Sequence, residues 1–273
     1  MAGLGEVLPI LERCFRSGGI DFYLLGGLAR DINLMRKGVR PQRITKDVDI
    51  AVLVPHADRF EALLAQLEKE EGFRRSASNP LAMYYNDVKV DILPFNQFVT
   101  LKGEAKALGP ALADFNLQGL HEVYLHSTEQ VELEADHRFR VTTMEAIILL
   151  KLLAYEDKPE WRLKDMEDVA ELMHHYFDLN SEDIYLHHND LFLPGMELEA
   201  IACRVIGRKI AGILSSNESL KSKTIRIIED HLEKGRKSPL LLALIRQTGN
   251  TLEEVILLLQ EVLEGIKRLA SEV

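Results

Sequence analysis

Three carboxylates and a glycine pair are the residues in this chain that could do chemistry. Asp47 and Asp49 stand two apart in ITKDVDIAVLV, an apolar run that reads as a strand. Residues at i and i+2 of a strand share a face. Both carboxylates therefore project together, while Val48 and Ile50 turn toward a core. Two ionised carboxylates side by side repel each other, so the arrangement calls for a neutralising cation. All-oxygen ligands suit Mg²⁺ or Mn²⁺, which retain waters and bind substrate phosphates. Asp91 lies in DVKVDILPF, where Val88, Val90 and Ile92 share one face and Lys89, Asp91 and Leu93 the other. It reads as a third carboxylate of the same site or as an exposed strand acid. Gly26-Gly27 ends a short apolar run and precedes a helical pattern. Glycine lets a phosphate approach the backbone closely. A helix start adds unpaired N–H groups and the positive end of its dipole. The pair is a phosphate cradle or a plain strand–helix turn.

The elements that must position these groups follow from periodicity. A helix is expected at Leu8–Phe15, a strand at Phe22–Leu25, a helix at Leu28–Met35 and a strand at Thr45–Val54. After Pro55, a helix should bury Phe60, Leu63, Leu64 and Leu67, spaced for one face. Short strands are expected near Phe73, at Leu81–Tyr85 and at Val88–Leu93. From Asn96 to Arg140 strands and loops are expected, with HEVYLHS and RFRVTT as strand material.

At Thr142 the pattern turns helical. Thr142 and Glu145 fit a capping box. In the helix that follows, Lys151 falls on the stripe of Met144, Ile147 and Ile148. A lysine there needs a partner or must snorkel to water. The next helix opens with Asp165 and Asp168, neighbours on one face, although acids in a first turn are also ordinary dipole partners. From about Ser181 a separate helical portion is expected, with helix starts at Ser238-Pro239 and at Thr251 with Glu254. The fold class is α/β (α+β), with a catalytic domain over 1–140 and a helical domain over 141–273.

Composition excludes several classes. With 47% hydrophobic and 28% charged residues the chain reads as an ordinary soluble protein. No apolar run reaches membrane-spanning length. The N-terminus lacks the basic start and apolar block of a signal peptide, and with only two isolated cysteines a reducing cytoplasm is the expected compartment. Cys14 and Cys203 are isolated, and the paired histidines at 174–175 and 187–188 match no metal spacing. The net charge of −10 disfavours broad nucleic-acid binding. Arg30, Arg36, Lys37, Arg40, Arg43 and Lys46 nonetheless cluster around the glycine–aspartate stretch. Solvated surface positions account for most of them; Arg43, immediately before the aspartate strand, is the exception.

The order Gly-Gly, helix, basic loop, Asp-x-Asp strand resembles the DNA polymerase β-type nucleotidyltransferase superfamily. Gly26, Gly27, Ala29, Arg43, Thr45, Asp47 and Asp49 are most similar to its AbiEii-like branch, which includes toxins of type IV toxin–antitoxin systems. The resemblance implies a mixed sheet with flanking helices, followed by a helical portion that contributes Lys and Asp motifs. It implies Mg²⁺-dependent transfer of a nucleoside monophosphate from an NTP to an acceptor hydroxyl, with release of pyrophosphate. Asp47, Asp49 and Asp91 would be catalytic and hold metal, and Gly26, Gly27, Arg43 and Thr45 would bind the nucleotide. Lys151 matches the helical lysine and Asp165 the aspartate, with Asp168 as the alternative. RNA, especially a tRNA 3′ end, is the implied acceptor and an antitoxin the implied partner. A small-molecule, antibiotic-type nucleotidyltransferase and a nucleotide-binding interaction module stand as alternatives.

Overall fold

The computed structural model describes residues 4–96, 112, 116–134 and 137–268. They fall into two units, Met1–Thr143 and Met144–Val273. The first unit runs α1 (Leu4–Ser17), β1 (Phe22–Leu25), α2 (Gly26–Arg36), β2 (Val48–Leu53), α3 (Ala57–Glu70), β3 (Arg74–Arg75), β4 (Ala82–Tyr85), β5 (Val88–Phe95), α4 (Leu120–His126), β6 (Thr128–Glu134) and β7 (His137–Thr142). The strands form one seven-stranded mixed sheet in the order β3-β4-β5-β2-β1-β7-β6.

β2 is the middle strand, antiparallel to β1 and parallel to β5. Its Val48, Ile50, Ala51 and Val52 are fully buried, as befits a strand covered on both faces. In β5 the alternation holds: Val88, Val90 and Ile92 are buried and Lys89, Asp91 and Leu93 half-buried. α3 buries Phe60, Leu63, Leu64 and Leu67. α2 begins at Gly26 itself, two residues earlier than the apolar pattern indicates, and all residues from Leu28 to Leu34 are buried.

Two expectations fail here. HEVYLHS is helix α4, not strand. Gly119, with φ +86°, turns the chain, and Leu120 and Val123 then reach the core three residues apart. Thr142 caps no helix: it ends β7, and its hydroxyl donates to the Leu24 carbonyl at 2.7 Å. Most of the expected strands and loops between Asn96 and Asn116 lie outside the described residues.

The second unit is helical: α5 (Met144–Asp157), α6 (Leu163–His187), α7 (Leu198–Ile213), α8 (Glu218–Lys234), α9 (Pro239–Thr248) and α10 (Leu252–Lys267). Asn180, with φ −127° and ψ 18°, kinks α6 into two helical stretches, so a helix boundary does fall beside Ser181, although both stretches belong to the second unit. Ser238 caps α9 by accepting from the Leu241 N–H. Thr251 and Glu254 form a reciprocal capping box on α10. α7 and α10 cross at glycine: a Cβ on Gly207 would strike the Val262 carbonyl and lie 2.8 Å from the Gly265 Cα.

Candidate active site

The glycine turn and the aspartate strand meet in the first unit. Gly26 has φ +65°, and a Cβ there would collide with the Asp49 carboxylate. A Cβ on Gly27 would lie 3.1 Å from the Thr45 side chain. The pair is therefore required twice, by backbone conformation and by close approach. It leads into α2 with no side-chain cap at Leu25, which leaves the first N–H groups of the helix to other acceptors.

Register brings the acids together. Leu25, just before the turn, is the antiparallel partner of Asp49. Asp49 is in turn the parallel partner of Asp91. Asp49 and Asp91 are half-buried, while Asp47, one residue before β2, is exposed. Asp91 also pairs with Lys89, whose Nζ lies 2.5 Å from Oδ2. Burial works against the charge on Lys89, but the hydrogen bond and charge of Asp91, and then the charges of Asp49 and Asp47, outweigh it and raise its pKa. Lys89 therefore sits in the field of all three carboxylates. The strand alternation already placed it on the Asp91 face, so the signal was present in the sequence.

The donor set is one a hard cation would choose: carboxylates only, with Asp91 Oδ1 buried and lacking a hydrogen-bond partner among the described residues. In their present rotamers, however, no three His, Cys, Asp or Glu side chains among the described residues converge as a metal-holding group. The three acids suit a divalent ion by type, and strand register sets Asp49 beside Asp91.

The loop before β2 is held from beneath by residues that hydropathy alone would assign elsewhere. Arg30 and Asp31 are 1% and 0% exposed. Arg30 Nε donates to Asp31 Oδ1 at 2.9 Å, and its guanidinium also donates to the Arg43 carbonyl. Asp31 Oδ2 accepts from the Thr45 N–H at 2.7 Å. The Arg43–Thr45 backbone is thereby tied to α2, and Thr45 is set against Gly27. Arg30 thus belongs to the support of this loop rather than to a solvated basic rim, whereas the Arg43 side chain is exposed.

In the second unit Lys151 is buried and neither snorkels nor stands alone. Its Nζ lies 2.7 Å from Asp165 Oδ1 and 2.8 Å from Asp168 Oδ2. Both candidate aspartates thus hold the lysine, and neither serves only as a dipole partner. Arg162 adds a longer contact to Asp165, at 3.5 Å.

Comparison with known proteins adds little. No protein-family sequence model matches the chain, and no curated protein does. Among solved structures, the chain overlaps with the solution structure of the antibiotic-resistance factor ANT(2'')-Ia at 17% identity and a TM-score of 0.38, covering 70% of this chain and 100% of that one. A likeness that loose carries no conclusion about site or activity.

Proposed function

We propose that this chain is a metal-dependent nucleotidyltransferase that moves a nucleoside monophosphate from an NTP to an acceptor hydroxyl. The observation that carries the reading is the closure of the Gly26 turn on Asp49, with Asp91 beside Asp49 on the neighbouring strand. The first N–H groups of α2, which would donate to phosphate, and the carboxylates lie toward one end of β1, β2 and β5. In the reaction the acceptor oxygen bonds to the α-phosphorus, the α–β P–O bond breaks, pyrophosphate leaves, and the hydroxyl proton passes to a base.

A bound Mg²⁺ would supply charge neutralisation for the triphosphate and for the attacking oxygen. Asp47, Asp49 and Asp91 are the residues that would hold it. The first N–H groups of α2 would face the phosphates, with Thr45 and Arg43 flanking them. Asp91 would take the hydroxyl proton; its Oδ1 has no hydrogen-bond partner among the described residues, which supports that role. The resemblance would make Lys151 a phosphate partner and Asp165, or Asp168 in its place, the acid that orients it, and these roles are part of the proposal. Their test is Lys151→Met, read for transfer and for unfolding separately.

The acceptor class is tested by incubating the chain with Mg²⁺ and α-labelled NTPs against total RNA, total protein and a pool of small polyhydroxylated amines. Label on RNA supports the tRNA-type acceptor; label on the small molecules supports the antibiotic-type reading. The lysine at the acid cluster favours one second reading, a nucleotide-binding module in which Lys89 rather than a metal balances the carboxylates. It predicts nucleotide binding that ignores Mg²⁺ and no label on any acceptor.

A further inference from the structure

Three aromatic rings meet at the surface where α6 ends. Tyr185 packs edge-on against Phe177, with ring centroids 5.9 Å apart, and stacks on Phe192 at 4.9 Å with an interplanar angle of 17°. Contacting rings are ordinarily core material. Here Tyr185 is 54% exposed, and Leu186 and Leu193 are 65% and 62% exposed. The patch is braced. The Leu193 N–H donates to the Leu191 carbonyl at 2.8 Å, and the Met196 N–H to the Leu193 carbonyl at 3.1 Å. Arg208 on α7 grips Asp190 through two hydrogen bonds of 2.8 and 2.5 Å, and Lys209 lies 2.7 Å from Asp183. Apolar surface held this firmly in water marks an interaction site rather than a stray side chain.

Charge says what kind of partner. From Asp165 to Cys203 the chain carries ten Asp and Glu residues and no Lys or Arg; Asp165, Asp168 and Glu171 are buried, and the remaining seven are exposed or half-buried. The cations that α7 brings to this loop, Arg208 and Lys209, are already engaged by Asp190 and Asp183. Asp178 adjoins Phe177, Glu182 lies one helical turn before Tyr185, and Glu197 adjoins Leu198; all three acids are exposed. Nucleic acid is repelled by such a rim. A twofold contact between copies would set the acidic face against itself.

We infer that the Phe177–Tyr185–Phe192 face docks a positively charged, apolar-faced segment of another polypeptide. The inference stands on the second unit alone and is independent of the transferase reading.

The test is fluorescence anisotropy of the full chain with three labelled peptides of equal length: an amphipathic Leu/Lys helix, its Leu/Glu counterpart and an all-Lys peptide. The Leu/Lys peptide should bind at least about tenfold more tightly than either control. Tyr185→Ser with Leu193→Ser should weaken it by about tenfold or more. Asp178→Lys with Glu182→Lys should do so as well, with the rings intact. Because all four positions are at the surface, unfolding midpoints serve as the folding control for both variants. Equal binding by wild type and both variants would overturn the inference, as would absence of any preference for the Leu/Lys peptide. Two other results would overturn it in favour of a different occupant. One is self-association in sedimentation velocity that is lost in the ring variant without peptide binding, which assigns the face to a second copy. The other is binding of a single-stranded RNA oligonucleotide that the ring variant loses.

Discussion

Arg30 and Asp31 set the stability of the proposed nucleotide loop. A buried ion pair gains little against a well-packed apolar pair, but losing one partner strands the other charge. Asp31→Ala should therefore lower unfolding free energy by about 3 kcal/mol or more in a denaturant titration. It should also free the Arg43–Thr45 backbone, visible as faster amide exchange at Thr45, whose N–H Asp31 now accepts. A loss of less than about 1 kcal/mol, the size of an ordinary surface change, would contradict the reading. Gly26→Ala is the complementary probe. With φ at +65° and Asp49 against the new Cβ, it should cost about 1–3 kcal/mol of stability and reduce transfer by about a hundredfold. Unchanged transfer would separate the turn from the chemistry. At this scale the sequence was readable where pattern and chemistry coincide. Asp47, Asp49 and Asp91 stand out by strand alternation, and Lys151 by being a cation on an apolar stripe. Arg30 and Asp31 were not readable, because hydropathy assigns both to solvent and only the enclosed position of α2 buries them.

Among the elements, the crossing of α7 and α10 and the joint between α8 and α9 make separate predictions. Gly207 and Gly265 allow two helix backbones to touch, and a Cβ on Gly265 would strike the Arg204 carbonyl and lie 2.8 Å from the Arg208 N–H nitrogen. Gly265→Ala should destabilise the chain by about 1–3 kcal/mol through forced separation of the helices, measured by denaturant unfolding. At the α8–α9 joint, His231 is buried, stacks near Tyr155 at 5.4 Å, and pairs through Nδ1 with the Ser238 hydroxyl at 2.9 Å. Burial first, and nearby Lys234 second, lower its pKa from 6.5 to about 4. The unfolded chain therefore binds more protons than the folded one between these values. Stability should be complete above pH 6.5 and fall as pH drops toward about 4, by roughly 3 kcal/mol from this residue. His231→Gln should flatten that part of the stability profile; an identical slope would place the acid sensitivity elsewhere. Elements with a clean period were legible: α3 and β5 bury the residues their spacing names. α4 was not, because its aromatic and β-branched residues favour a strand while the Gly119 turn and the spacing of Leu120 and Val123 favour a helix.

For the whole molecule, the two units carry different charge problems. In the first, three carboxylates at the end of β2 and β5 face one lysine. In the second, Lys151 balances two buried aspartates, and exposed acids (Asp178, Glu182 and Glu197) adjoin the Tyr185 face in sequence. That division was only partly visible in the residue order, since the apolar α5 reads as one amphipathic stripe yet is buried nearly all round. The measurement that tests the central claim most directly follows the phosphates. The chain would be incubated with Mg²⁺ and acceptor in parallel reactions, one with an α-labelled and one with a γ-labelled NTP, beside an Asp49→Asn control. The account predicts α-label on the acceptor, γ-label in pyrophosphate, and loss of both by about a hundredfold or more in the variant. Label from the γ position on the acceptor or in free phosphate, or transfer untouched by Asp49→Asn, would contradict it.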